Sequence, residues 1–308
     1  MTCGRYAPSP TGMLHLGNAS TALLAWLSAR AQGGRFLMRM EDLDRPRVVA
    51  GAGERILDDL RWLGLDWDGQ PLAQSDRPAL YDAAFASLKE AGRIYPCFCS
   101  RRDIAAAASA PQAPGDETPY PGTCRGLPAS VALQRLASGR AHAWRFRVEG
   151  GSLEPFDDLV RGRIAPDAGS MGDFVVRRAD GVPAYQLAVV VDDAAMGVDE
   201  VVRGGDLLAS TPRQLLLYGA LGERPPRFAH VPLLLGPDDV RLSKRHRGVT
   251  LAELRDAGWT AGRVNGMLAA LLGLAAPGDE ALPKDLIEGF SLARLAAVPA
   301  EIVVPALA

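Results

Sequence analysis

Three short stretches of this 308-residue chain combine residue types that can do chemistry. The first is Met13-Leu14-His15-Leu16-Gly17-Asn18. A glycine there lets a ligand approach the backbone, and an imidazole beside an anion can donate a hydrogen bond as charge develops. The second is Arg241-Leu242-Ser243-Lys244-Arg245, where a lysine sits between a hydroxyl and further cations. That pattern suits the neutralisation of a polyphosphate leaving group. The third is a thiol set, Cys97, Cys99 and Cys124, in a chain with only 4 cysteines. It reads as a thiol or metal site in a reducing compartment, not as a disulfide framework. Each signal is weak alone, because a lone His is more often structural and a basic loop is more often solvated surface.

The surrounding elements give the three stretches a common frame. Arg5–Ala7 is a short strand that enters the turn-rich run Pro8-Ser9-Pro10-Thr11-Gly12. A helix follows over about 18–32, with Asn18, Ser20 and Thr21 as its N-terminal residues and Gly33-Gly34 as its stop. Its N-terminus offers unpaired N–H groups to phosphate. Arg35–Met40 alternates as a strand and ends at Glu41-Asp42-Leu43-Asp44-Arg45-Pro46, and helices are expected near 51–63 and 79–92. This alternation predicts an α/β parallel sheet with ligand residues at the carboxyl ends of its strands.

Residues 105–119 are aperiodic and rich in Ala, Pro, Ser and Gly, which marks a loop or an inserted subdomain. Strands are expected at 143–148 and 173–177, with a tight turn at Ala179-Asp180-Gly181. Ala184–Asp192 has the composition of a buried strand, and Ser210-Thr211-Pro212 opens a helix with a hydroxyl cap. His230–Leu235 is a further strand, and 251–274 reads as helical.

Composition narrows the function classes. Hydrophobic residues make up 48% and charged residues 23%, an ordinary globular mixture. No apolar run approaches the roughly 20 residues that span a bilayer. The stretch Ala22–Ala31 has the texture of a signal-peptide core, but Arg5 is the only charge ahead of it and two prolines interrupt the approach, so a cytoplasmic protein is expected. With 34 basic against 36 acidic residues, nucleic-acid binding must rest on a local patch. One exists between Arg224 and Arg263, where 8 basic residues face 4 acidic ones.

Taken together, the segments resemble one family. Arg5-Tyr6-Ala7-Pro8-Ser9-Pro10-Thr11-Gly12-Met13-Leu14-His15-Leu16-Gly17-Asn18 is similar to the first signature of class I glutamyl-type aminoacyl-tRNA synthetases, and Arg241–Arg245 to their KMSKS loop. Met40–Arg45, Pro183–Asp192, Arg203–Leu208 and Ser210–Gln214 fall in the family's order. The resemblance implies a Rossmann-type parallel-sheet catalytic domain in two halves, 1–95 and 184–238. An inserted acceptor-binding-like subdomain with a zinc site would occupy 96–183. A KMSKS-like loop and a mostly helical stem-contact-like region would occupy 239–308, with no anticodon-binding domain.

It also implies roles. Glutamate presents two carboxylates and an ammonium, so Arg5 and Arg203 are expected to take the carboxylates. Glu41 would take the ammonium with Ser9 and the Ala7 carbonyl, and Tyr185 would supply a directional hydroxyl. Without the surrounding motifs, an internal Arg5–Glu41 salt bridge would be the better reading. ATP is assigned to Thr11, His15, Gly17, Asn18, Ser243 and Lys244, with Mg²⁺ on the nucleotide; His15 and Lys244 are the catalytic pair. Cys97, Cys99, Tyr120 and Cys124 match a C-x-C…Y-x-x-x-C zinc pattern, with Asp103, Asp116, Glu117 and His142 as alternatives to the tyrosine. Asn18 replaces the second His of the family's HIGH tetrad, and Arg241, Leu242 and Arg245 depart from KMSKS.

The chain's length resembles a truncated branch of the family that joins glutamate to the cyclopentene diol of queuosine in the tRNA(Asp) anticodon loop. The expected partners are therefore L-glutamate, ATP and queuosine-modified tRNA(Asp), acting with a monomer away from membranes. A minimal enzyme that charges tRNA(Glu) is the competing expectation. A small-molecule adenylyltransferase and a non-catalytic RNA-binding relic are the readings from other classes.

Overall fold

The first strand, Cys3–Tyr6, pairs in parallel with Arg35–Met40, which pairs in parallel with Leu72–Ala73. A second sheet runs in the order Gly162–Ile164, Phe156–Asp158, Arg227–Val231, Glu200–Gly204, parallel except for its hairpin edge. The two sheets meet where Asp199 N–H donates to the Cys3 carbonyl at 3.0 Å and Asp199 Oδ1 accepts from Cys3 N–H at 2.8 Å. The chain leaves Cys3–Tyr6 through a helix to one neighbour, while the strand on its other flank belongs to the second sheet. Such a reversal opens a crevice at the carboxyl ends of the strands. This is a computed structural model, and it describes residues 1–100, 102–104, 120–149, 153–166, 171–236 and 249–305.

Arg35–Met40 is buried at every position after Arg35, because helices cover both faces of a parallel sheet. The 16-residue helix Leu16–Ala31 is buried nearly all round, from Ala22 through Ala29 without a break. Its Leu23, Leu24 and Leu27 join Phe36, Met38, Ile56, Leu60, Val231 and Leu268 in one core, so the carboxyl-terminal helices are part of the same packing unit. Asn265 on helix Ala261–Leu271 donates to the Leu63 carbonyl at 2.9 Å, closing the end of helix Ala52–Leu63. A separate antiparallel sheet of Ile94–Cys97, Ala143–Phe146 and Phe174–Arg177 carries the thiols at its edge.

Several expected elements take a different form. Ala184–Asp192 is not a strand: the segment Tyr185–Ala195 is a helix, packed against helices Pro78–Glu90 and Thr211–Leu221. Burial of Leu187 through Asp193 erased the helical periodicity, and an unbroken apolar run reads alike in a buried strand and a buried helix. His230–Leu235 is two strands, because Pro232 lacks the N–H a ladder needs; Leu233–Leu235 pairs instead with Glu301–Val303. The span 251–274 contains two helices, Leu251–Asp256 and Ala261–Leu271, separated at Gly258 with φ +80°. Helix Thr211–Leu221 begins as expected, but the Ser210 side chain makes no cap bond. No helix among the described residues is long and apolar enough to cross a membrane.

Candidate functional site

A cleft of about 520 Å³ opens at the junction of the two sheets. Its lining includes Arg5, Ala7, Ser9, Thr11, His15, Gly17, Asn18, Glu41, Tyr185 and Arg203, ten residues drawn from four distant parts of the chain. The loop between Tyr6 and Leu16 owes its shape to short backbone bonds: Thr11 N–H donates to Ser9 O, Glu41 N–H to Pro8 O, and Val49 N–H to Pro10 O. His15 is the N-cap of helix Leu16–Ala31, so the helix begins two residues earlier than the sequence suggested. Its Nδ1 accepts from Asn18 N–H at 3.3 Å, and Asn18 Oδ1 accepts from His15 N–H at 3.3 Å. Because Nδ1 accepts, the ring proton belongs on Nε2, where imidazole acts as a donor. A methyl at Gly17 would lie 3.1 Å from that ring.

The charges divide unevenly. Arg5 Nε donates to Asp193 Oδ1 at 3.2 Å, and Arg39 donates to the same oxygen at 2.6 Å and to Glu41 Oε1 at 3.1 Å. Arg5 and Glu41 are thus linked through Arg39 and Asp193 and not by a direct salt bridge. Burial would raise the Asp193 carboxyl, but the Arg39 and Arg5 guanidiniums hold it below its ordinary value. Glu41 goes the other way: burial pushes it up, and the same two cations do not cancel the effect. Arg203 has different company. It donates to His230 Nε2 at 3.0 Å, Gln214 Oε1 at 2.8 Å and Thr211 Oγ1 at 2.8 Å, all neutral acceptors.

Residues 1–100 and 171–236 supply all of this geometry, and a family model for the catalytic domain of class I tRNA synthetases (E and Q) matches residues 2–284. The chain belongs to that family. It is 53% identical to a glutamyl-Q tRNA(Asp) synthetase of Symbiobacterium thermophilum, over 98% of this chain and 96% of the relative. It is 52% identical to the protein of the same name from Nocardia farcinica, over 96% and 91%. Among solved structures, a glutamate tRNA ligase from Elizabethkingia meningosepticum in complex with its amino acid superimposes with a TM-score of 0.84 at 29% identity. That match covers 97% of this chain and 66% of the other.

In this class I catalytic domain, Ser243 and Lys244 lie outside the described residues. The chain on either side is anchored at the cleft, however. Leu233 and Leu234 line it, and Val249–Leu251 is bonded to the His15 segment, with Leu16 N–H on Val249 O at 3.3 Å and Leu251 N–H on Leu14 O at 2.9 Å. Sequence reasoning missed Arg39 and Asp193. The signal for Arg39 was a charged residue among the apolar positions that follow Arg35 in its strand; Asp193 lies on helix Tyr185–Ala195, one residue beyond the stretch 184–192 that reads as a strand. It also missed the Arg203 partners, which come from two separate elements, helix Thr211–Leu221 and strand Arg227–Val231.

The thiols converge as well. Sγ atoms of Cys97, Cys99 and Cys124 all lie within 4.8 Å of one another, with Cys99 and Cys124 at 3.5 Å. Tyr120 Oη is 3.4 Å from Cys97 Sγ and 3.8 Å from Cys99 Sγ. A tetrahedron built on zinc–sulfur bonds of about 2.3 Å has edges of about 3.8 Å, so the donor spacing fits zinc. The same oxygen accepts from Cys124 N–H at 2.7 Å. Asp103 is engaged with Ser100, and His142 Nδ1 lies against Arg140 O at 2.9 Å; Asp116 and Glu117 fall outside the described residues.

Proposed function

We propose that the chain activates L-glutamate with ATP, forming glutamyl-adenylate and pyrophosphate, and transfers the glutamyl group to the queuosine diol of tRNA(Asp). The observation that carries the first half is charge complementarity. Arg5, Arg203 and Glu41 line the cleft, and behind them Arg39 and Arg77 meet Asp192 and Asp193, so four guanidiniums stand against three carboxylates. Glutamate brings two carboxylates and one ammonium, a net charge opposite to that surplus. Arg203 and Arg5 take the carboxylates, Glu41 the ammonium with Ser9 and the Ala7 carbonyl, and Tyr185 directs a hydroxyl.

The α-carboxylate attacks the α-phosphorus of ATP and pyrophosphate leaves. No covalent enzyme intermediate is needed, so catalysis is positioning and charge stabilisation. His15 Nε2–H and Lys244 steady the phosphates, Thr11, Gly17, Asn18 and Ser243 line the nucleotide, and Mg²⁺ accompanies ATP. Choice of tRNA is supported by the two relatives named glutamyl-Q tRNA(Asp) synthetase, each matched over more than nine-tenths of its length. Zinc held by Cys97, Cys99, Cys124 and Tyr120 would tie the end of strand Ile94–Cys97 to the Tyr120–Cys124 turn, a structural role within an inserted subdomain at 96–183.

The deciding experiment compares charging of queuosine-modified tRNA(Asp), unmodified tRNA(Asp) and tRNA(Glu) with labelled glutamate. Label on the modified tRNA(Asp) alone is expected. Label on tRNA(Glu) would favour the minimal-synthetase reading, which the likeness to a glutamate tRNA ligase supports.

A further inference from the structure

His230 is fully buried and does not line the cleft, yet it touches one of the two arginines that do. We propose that His230 is a positioning residue for the carboxylate subsite: as a neutral bridge between Asp158 and Arg203 it orients the guanidinium while keeping the Asp158 carboxylate off it. The substrate carboxylate then becomes the counter-ion of Arg203. This inference rests on the glutamate reading given above.

Sheet register sets the contact, since Arg203 and His230 are directly paired on neighbouring parallel strands. Asp158 fixes the ring. Its Oδ2 lies 2.6 Å from His230 Nδ1, and its Oδ1 accepts the N–H groups of Val160, Arg161 and His230 at 3.0, 2.9 and 3.1 Å. A carboxylate so held is an acceptor, which places the imidazole proton on Nδ1 and leaves Nε2 to accept from Arg203 Nε. The two terminal nitrogens of Arg203 are fixed by Gln214 and Thr211, and Phe228 lies under the guanidinium with its centroid at 5.1 Å. The guanidinium is thus held at three nitrogens with no carboxylate in ion-pair contact among the described residues, and Asp193 acts on it only from farther off. A carboxylate in place of the imidazole would satisfy the same geometry and neutralise the charge the ligand needs, as Asp193 does in part for Arg5.

The test is glutamate-dependent ATP–pyrophosphate exchange by the whole chain, with KM for glutamate and for ATP measured separately. His230→Leu removes the acceptor, and Asp158→Asn switches the tautomer by donating to Nδ1, so that Nε2–H meets the Arg203 N–H. Each is expected to raise the glutamate KM at least tenfold with the ATP KM within twofold. His230→Gln, which keeps an acceptor within reach of Arg203, is expected to recover most of the loss seen with leucine. If Asp158→Asn leaves the glutamate KM within twofold, or both KM values rise together, the positioning role is overturned. Exchange of wild-type protein with another amino acid in place of glutamate overturns the glutamate reading instead; the same variants, assayed on that amino acid, still decide the role of His230. No exchange with any amino acid overturns both.

Discussion

Arg5 and Arg203 face the same cleft from adjoining strands, but the protein treats their charges in opposite ways. Arg5 belongs to an alternating chain in which Asp193 and Glu41 are bridged by Arg39, so its charge is answered in part within the fold. Arg203 is held by an imidazole, an amide and a hydroxyl. The first arrangement stabilises and orients; the second preserves a cation for a ligand. The same contrast separates the two carboxylates on Arg39. Asp193 is held low by its cations, whereas Glu41, at the cleft, is raised by burial and gains from the arrival of another cation.

The largest expected effect is on stability. Arg39 is fully buried, and Arg39→Met would leave Asp193, Glu41 and Asp192 short of a cation; removing one member of such a buried group costs about 3–5 kcal/mol. Arg203→Met removes a cation that no described carboxylate contacts, so its loss of stability in urea denaturation should be clearly smaller. Equal losses would erase the distinction between the two halves.

Next in size is substrate use. Arg5→Ala should weaken glutamate use at least tenfold, since truncating a desolvated charge pair costs about 2–5 kcal/mol and each 1.4 kcal/mol is about a factor of ten. The loss belongs in the glutamate KM in pyrophosphate exchange, with the ATP KM little changed.

Glu41→Gln sharpens the comparison through pH. A carboxyl raised on folding contributes stability that is present below its unfolded value and lost as pH rises through the folded one. The amide removes that loss, so the variant should match or exceed wild type in thermal stability at pH 7 and gain less on mild acidification. Its glutamate KM should nevertheless rise more than tenfold. Asp193, depressed on folding, has the opposite sign: Asp193→Asn should lose stability at pH 7 and show a smaller further loss in acid.

Smaller effects are expected at the edges of the site. Gly17→Ala presses a methyl on the His15 ring at 3.1 Å and should lower the exchange rate several-fold while the glutamate KM holds. Away from the cleft, Tyr120→Phe should reduce a zinc content of about one ion per chain, measured by elemental analysis, without changing glutamate KM. Cys99→Ser should remove more of it.

Local chemistry in the sequence determined a good deal. The glycine-bearing loop ahead of a helix, the strand Arg35–Met40, the helices near 52–63 and 78–90, and the C-x-C spacing are all governed by neighbours a few residues apart, and they stand close to where the sequence put them. The ten cleft residues named from the ordered motifs lie around one cavity. Tertiary structure alone decided the helix Tyr185–Ala195, because burial on all sides removes the periodicity that distinguishes a helix from a strand. It also decided the partners of the charges. Whether Arg203 meets a carboxylate or an imidazole depends on the register of two strands joined across a helix, and whether Arg5 meets Glu41 or Asp193 depends on which side chain a distant helix delivers. Those choices are made by packing over long sequence separations, where spacing along the chain carries no information.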